Sequence, residues 1–258
     1  MDVPGIDYSQ LEGFLLVLTR IAAFIVFAPI LGSRQFPALV KIGFILLLTF
    51  TVYPVVGRMA LPPGAGAGDL ALYLFMELLV GLAIAFATRL IFTAVQIGGT
   101  MVDFQMGFGV VNVIDPQTET QVSITAQFQN IFTILIYLAL NAHHTTITAL
   151  MESFQLIDPL NMNFGGGVMK FIMKLFTDTF IIGVKIAAPI MAILFFISVG
   201  LGLVARTVPQ MNVFIVGFPL QIGVGLIMIG LSMTFFGMVI EQQIHTMPNR
   251  LLGLMQTF

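Results

Sequence analysis

Leu201-Gly-Leu-Val-Ala-Arg206-Thr-Val-Pro209-Gln210-Met-Asn212-Val-Phe-Ile-Val-Gly-Phe-Pro219-Leu220 joins two long apolar runs, and its only charge is Arg206. Pro209 has no N–H to donate and biases Val208 away from the helical region. Gln210 and Asn212 bring polar groups just past that break, and Asn212 occupies a position suited to capping a following helix. The stretch therefore reads as a helical hairpin. Its arms cover about residues 185–205 and 213–240, and each is long enough for a hydrocarbon layer that needs ~20 apolar residues.

The rest of the chain has the same character. Of 258 residues, 58% are hydrophobic and 9% charged, whereas soluble domains carry about 25% charged residues. The expected class is all-α, built from integral-membrane-type helical hairpins with about six long, kinked apolar helices. A net charge of −2 argues against nucleic acid as a partner, and the absence of Cys excludes disulfides and thiolate metal sites. The 25 Phe and 16 Met fit lipid-facing or core positions, with Met adding adaptable packing. Asp2 and Asp7 stand where a signal peptide would be cationic, and Arg20 interrupts the apolar run, so the first helix is expected to be retained.

In chain order, helices are expected over Tyr8–Leu31, Ile42–Gly57 (interrupted by Pro54) and Leu70 to about Gly98. Further helices are expected over Val122–Leu140, Ala142–Phe154 (weaker), Val168–Ala205 (kinked at Pro189) and Val213–Ile240, with Glu241–Phe258 as a short tail. Residues 98–121 stand apart. Gly98, Gly99, Gly107 and Gly109 loosen the backbone, Asp115-Pro116 breaks it, and the charges are all acidic. An apolar, glycine-broken loop at membrane depth is tolerated only when buried in protein or lining a cavity. The positive-inside bias places the turn with Arg34 and Lys41, and that with Arg206, in the cytoplasm. The acidic strip would then share that side, so a plain six-span arrangement fits only in part.

Arg20, Glu77, Arg89 and Lys185 interrupt apolar runs and are expected to be buried charges, since ionisable groups at membrane depth face protein or water. They could line an ion path, or pair within the chain, for example Arg20 with Glu77. Asp103 and Asp115 are the best acidic pair, but no helix fixes them for acid–base work. His143 and His144 are adjacent and expected on different helix faces, so no metal site is expected, and no catalytic or phosphate-binding motif is present. No cofactor is implied. Gly81/Ala85, Ala188/Ala192 and Ser198/Gly202 are small-residue pairs that allow close helix approach.

Three stretches resemble the FliR/SctT family of type III export-gate proteins. They are Gly32-Ser33-Arg34 through Phe36-Pro37 to Lys41 and Gly43; Gly98-Gly99 through Gln105-Met106-Gly107-Phe108 to Ile114-Asp115-Pro116; and Arg206 through Pro209-Gln210-Met211-Asn212 to Pro219. The resemblance implies a non-enzymatic subunit of a helical gate in the bacterial inner membrane, within the flagellar basal body. It implies assembly with FliP and FliQ, contact with FlhB and FlhA, and passage of unfolded flagellar substrates through a central pore. Gate helices in the family are lifted largely out of the bilayer plane, so apolar faces become subunit interfaces. The position-matched pore plug would include Met106, Phe108, Val110, Val111, Val113, Ile114 and Asp115. Arg206, Pro209, Gln210 and Asn212 would form an inter-hairpin turn that contacts partners. Residues 1–165 would then hold the N-terminal hairpins with the plug loop, and residues 166–258 a FliQ-like hairpin and tail. The alternative class is a small-solute secondary transporter or channel, which needs internal repeats with matching broken helices; the two halves show no such match.

Overall fold

A computed structural model describes residues 8–33, 35–56, 66–108, 123–157, 165–208, 210 and 212–258. Among these residues there are seven helices and no strand: α1 (Tyr8–Phe27), α2 (Ala38–Val56), α3 (Ala67–Met106), α4 (Ile124–Ala139), α5 (Ala142–Leu156), α6 (Gly166–Thr207) and α7 (Val213–Met255). Five are long and apolar enough to cross a membrane, or six if α4 and α5 count as one broken span. The all-helical, membrane-type class is therefore as expected.

Several boundaries differ from expectation, each for a backbone reason. α1 ends at Phe27 rather than Leu31, with Pro29, which cannot donate, in the turns that follow. Pro54 and Pro189 lie inside helices that continue past them. A proline removes one ladder bond, but abandoning the helix in apolar surroundings would strand many more backbone groups. The same argument applies to Gly98-Gly99, which was expected to open a loop; α3 runs on to Met106. Glu241–Phe258 is no loose tail either, because α7 continues to Met255. Met247, Leu251 and Leu254, at helical spacing, are buried there.

α3 ends in a glycine-terminated cap. Gly107 has φ 90°; its N–H donates to the Phe104 carbonyl at 3.2 Å, and the Phe108 N–H donates to the Asp103 carbonyl at 3.0 Å. This is the paired bonding of a Schellman motif, which needs a residue without a Cβ at its left-handed position. Between α4 and α5, Asn141 takes the left-handed conformation with φ 52°, a region Asn enters more readily than most residues. Buried threonines do not strand their hydroxyls: Thr49, Thr88, Thr133 and Thr146 each donate to the carbonyl four residues back, at 2.7–3.0 Å.

The chain divides into two compact units that interleave along the sequence. The first holds residues 1–90, 141–175 and 246–258, and the second holds 91–140 and 176–245. This division follows packing, so it differs in kind from the sequence-order boundary at residue 165. In the first unit, α1 meets α2 through the Phe14 ring, 5.2 Å from Phe50 and 5.7 Å from Tyr53, and the Tyr53 hydroxyl donates to the Gln10 carbonyl at 2.9 Å. In the second unit, Val102 and Met106 of α3 pack with Ala187, Ile190 and Leu194 of α6 and Ile229 of α7. The Gln221 side-chain amide, donating to Ser198 Oγ at 2.9 Å, ties α7 to α6.

Candidate functional site

The strip at 109–122 lies outside the described residues, and with it Val110, Val111, Val113, Ile114 and Asp115. Its two roots are described, and both belong to the second unit. On the α3 side, Met106 is fully buried in the core and Phe108 packs against the same cluster. A Cβ on Gly225 would sit 2.7 Å from the Met106 thioether, and one on Gly107 would sit 2.5 Å from the Phe218 ring. The upstream root therefore packs closely against α7, where a Cβ at either glycine would require the Met106 or Phe218 side chain to shift.

On the α4 side, Ser123 caps the helix: its hydroxyl accepts from the Ala126 N–H at 3.0 Å. The next orphan donor is met from α3. Both carboxylate oxygens of Asp103, itself buried, lie 3.3 Å from the Thr125 N. α3 and α4 also approach closely one turn earlier. A Cβ on Gly99 would fall 2.3 Å from Ala126 Cα, an overlap with backbone that no side-chain adjustment relieves. Gly98 performs the same service toward α6, where a Cβ would come within 2.8 Å of the Gly183 carbonyl oxygen. The glycines expected to loosen the chain instead bring helices together.

The four charges expected to be buried divide in two. Arg20 and Glu77 are fully buried in the first unit. Arg20 Nε is paired with Glu77 Oε2, and Nη2 donates to Oε1 at 2.9 Å. Nη1 donates to Ser153 Oγ at 3.1 Å, Nη2 reaches the Ile157 carbonyl at 3.4 Å, and the guanidinium lies 4.3 Å from the Phe154 ring centroid. Every guanidinium nitrogen has a partner, which is the condition for a charge to be held out of water. Gly81 lets α3 approach here, for its Cβ would meet the Arg20 carbonyl oxygen at 2.3 Å. Arg89 and Lys185, by contrast, are exposed.

Of the other candidates, Arg206 is exposed in the last turn of α6, where a cation suits the negative end of the helix. Gln210 and Asn212 are exposed at the tip, the Asn212 carbonyl accepts from the Ile215 N–H at 3.1 Å, and Pro209 lies outside the described residues. The His143 and His144 rings lie 4.2 Å apart at the start of α5; no cluster of three potential metal ligands occurs among the described residues. Of the small-residue pairs, Gly81/Ala85 is used within the chain, while Ala188, Ala192 and Gly202 are exposed. Gly183 and Gly225 were missed. Their only sequence signal was a glycine inside a long apolar run, which gives no partner.

Residues 11–247 match the family described as bacterial export proteins, family 1. The chain is 41% identical to the flagellar biosynthetic protein FliR of Bacillus subtilis over 246 residues, covering 92% of this chain and 94% of that one. It is 29% identical to FliR of Escherichia coli, over 84% of this chain and 83% of the relative. The Yop proteins translocation protein T of Yersinia pestis is 27% identical, over 81% of this chain and 80% of that protein.

The chain belongs to the FliR family.

The stretch at Gly32–Gly43 that resembled FliR has a local explanation. A Cβ on Gly32 would lie 2.3 Å from the Val26 carbonyl oxygen, so the turn after α1 closes only with glycine. The Lys41 ammonium then donates to the Gly32 carbonyl at 3.1 Å, tying the start of α2 to the turn.

Proposed function

We propose that this member of the FliR family is a structural subunit of a type III protein export gate, assembling with FliP- and FliQ-type subunits around the pore through which unfolded flagellar proteins leave. The reading is carried by the family match over residues 11–247. The chain's surface supports it: Phe50, Phe196, Ile215 and Leu231, on α2, α6 and α7, are all exposed. Apolar faces of this kind suit lipid or neighbouring subunits. The gate sits in the bacterial inner membrane at the flagellar basal body, and its base meets FlhB- and FlhA-type proteins. Residues 166–258 act as a FliQ-like hairpin, with Arg206–Asn212 at the tip facing that base.

In the same reading, residues 107–121 supply the plug. Phe108, Val110, Val111 and Ile114 block ions by excluding water, as apolar constrictions do. No chemical step is involved; the chain's contribution is shape and sealing. Two measurements test this. In mild detergent, the chain should co-purify with FliP- and FliQ-type subunits and be unstable alone; a well-folded solitary monomer would defeat the gate assignment. Replacing Phe108, Val110 and Val111 with Gly or Ser should raise the permeability of resting cells to small solutes, and unchanged permeability in an assembled gate would defeat the plug.

A further inference from the structure

We propose that Lys185 is an inter-subunit contact: its ammonium pairs with a carboxylate on a helix of a neighbouring gate subunit, which packs along the outer face of α6. This rests on the gate reading and adds the face and the charge through which the chain is held. The register of α6 puts Lys185 outside. Ile182, Ile186, Ala187 and Ile190 are buried, and a Cβ on Gly183 would come within 2.9 Å of the Ala94 carbonyl oxygen, so that side of α6 lies against α3. Ile181, Lys185, Ala188 and Ala192 are all exposed. They follow one another at spacings of four, three and four, which makes them one stripe of the helix.

Among the described residues, no carboxylate lies in salt-bridge range of Lys185. The only acid of α6, Asp178, stands seven residues earlier, about two turns away. Yet Lys185 is near the middle of the 42-residue α6, with exposed apolar side chains on both sides of it: Phe180 and Ile181 before, Ile193, Phe195 and Phe196 after. Whatever covers this face is therefore apolar above and below the ammonium. Lipid tails would cover the apolar side chains but supply no counter-charge, and an ammonium at that depth is costly. A helix of a second protein meets both needs, with apolar residues against the flanks and one acid against Lys185. Charge complementarity selects a carboxylate as that group. Ala188 and Ala192 let such a helix come close, as small residues do in apolar surroundings. In this arrangement the neighbour, rather than this chain, buries Lys185.

The test uses the assembled gate in membranes. With Ile181 replaced by p-benzoylphenylalanine, irradiation should crosslink the chain to another gate subunit, in a segment that holds an Asp or Glu. Lys185→Glu should lower recovery of the assembled gate by about tenfold, while Lys185→Arg should keep it within about twofold. Replacing the acid of the crosslinked segment by Lys should restore assembly with Lys185→Glu and lower it with the unsubstituted chain, a reciprocity that a general loss of stability would not produce. Lys185 is exposed on the chain, so the amount of chain in the membrane should be unchanged in each variant. Crosslinks to lipid alone, or to a segment without an acid, overturn the proposal. Normal assembly of Lys185→Glu, or no rescue by the exchanged charge, overturns the ion pair even where the crosslink forms. Failure of the unsubstituted chain to co-purify with any other subunit defeats the gate reading, and this proposal with it.

Discussion

Around Arg20, helices of the first unit meet through charge: a guanidinium from α1, a carboxylate from α3, and a hydroxyl, a carbonyl and an aromatic ring from α5 and the residue after it. Around Gly99, helices of the second unit meet largely through backbone: Gly98 makes room for α6, Gly99 for α4 and Gly183 for α3, while Gly225 makes room for the Met106 side chain. The first arrangement is specified by chemistry, because removing either ion leaves the other buried without a counter-charge. The second is specified by absence, because a Cβ added at Gly98, Gly99 or Gly183 overlaps a neighbouring backbone. A polar centre fails by desolvation, and a glycine centre by steric conflict. The strip proposed to seal the pore is rooted in the second.

Breaking the charge centre should have the largest effect. Arg20→Ala or Glu77→Ala should destabilise the chain by about 3–5 kcal/mol, whereas replacing both by Met and Leu should recover most of that loss. Thermal unfolding of the purified protein would read this, and equal losses in the single and double variants would refute the account. Gly99→Ala should cost about 1–3 kcal/mol, since the new methyl meets the Ala126 backbone and α4 must shift. A Gly99→Ala loss larger than that of Arg20→Ala would reverse the ranking of the two centres. Ser123→Ala should cost about 1 kcal/mol and fray only the start of α4, visible as faster exchange at the Ala126 amide.

The smallest effect sharpens the meaning of the glycines. A Cβ on Gly200 would meet nothing within 4 Å, so Gly200→Ala should raise helix stability by up to ~1 kcal/mol. If subunit assembly nevertheless falls, that face of α6 is a contact in the gate, and the glycine serves a neighbour outside the chain. If neither changes, the face is lipid- or water-exposed.

Much of the fold was legible in sequence, for a physical reason. Backbone groups in apolar surroundings must bond internally, so long greasy runs become helices whatever surrounds them, and the Arg206–Asn212 break could be read from proline and capping chemistry alone. An Arg and a Glu in separate apolar runs similarly demanded a compensating partner, which made the Arg20–Glu77 pairing conceivable before any contact was known. The family motifs were also legible, because they are local. What tertiary structure alone decided was the use of the glycines and of Asp103. A Gly-Gly pair carries the same local signal whether it opens a loop or admits a neighbouring helix. Only the position of Ala126, 27 residues away in the chain, distinguishes those outcomes. The exposure of Arg89 and Lys185 was settled in the same way: an apolar run shows that a charge must be accommodated, but which helix faces are covered depends on helices brought together from distant parts of the chain.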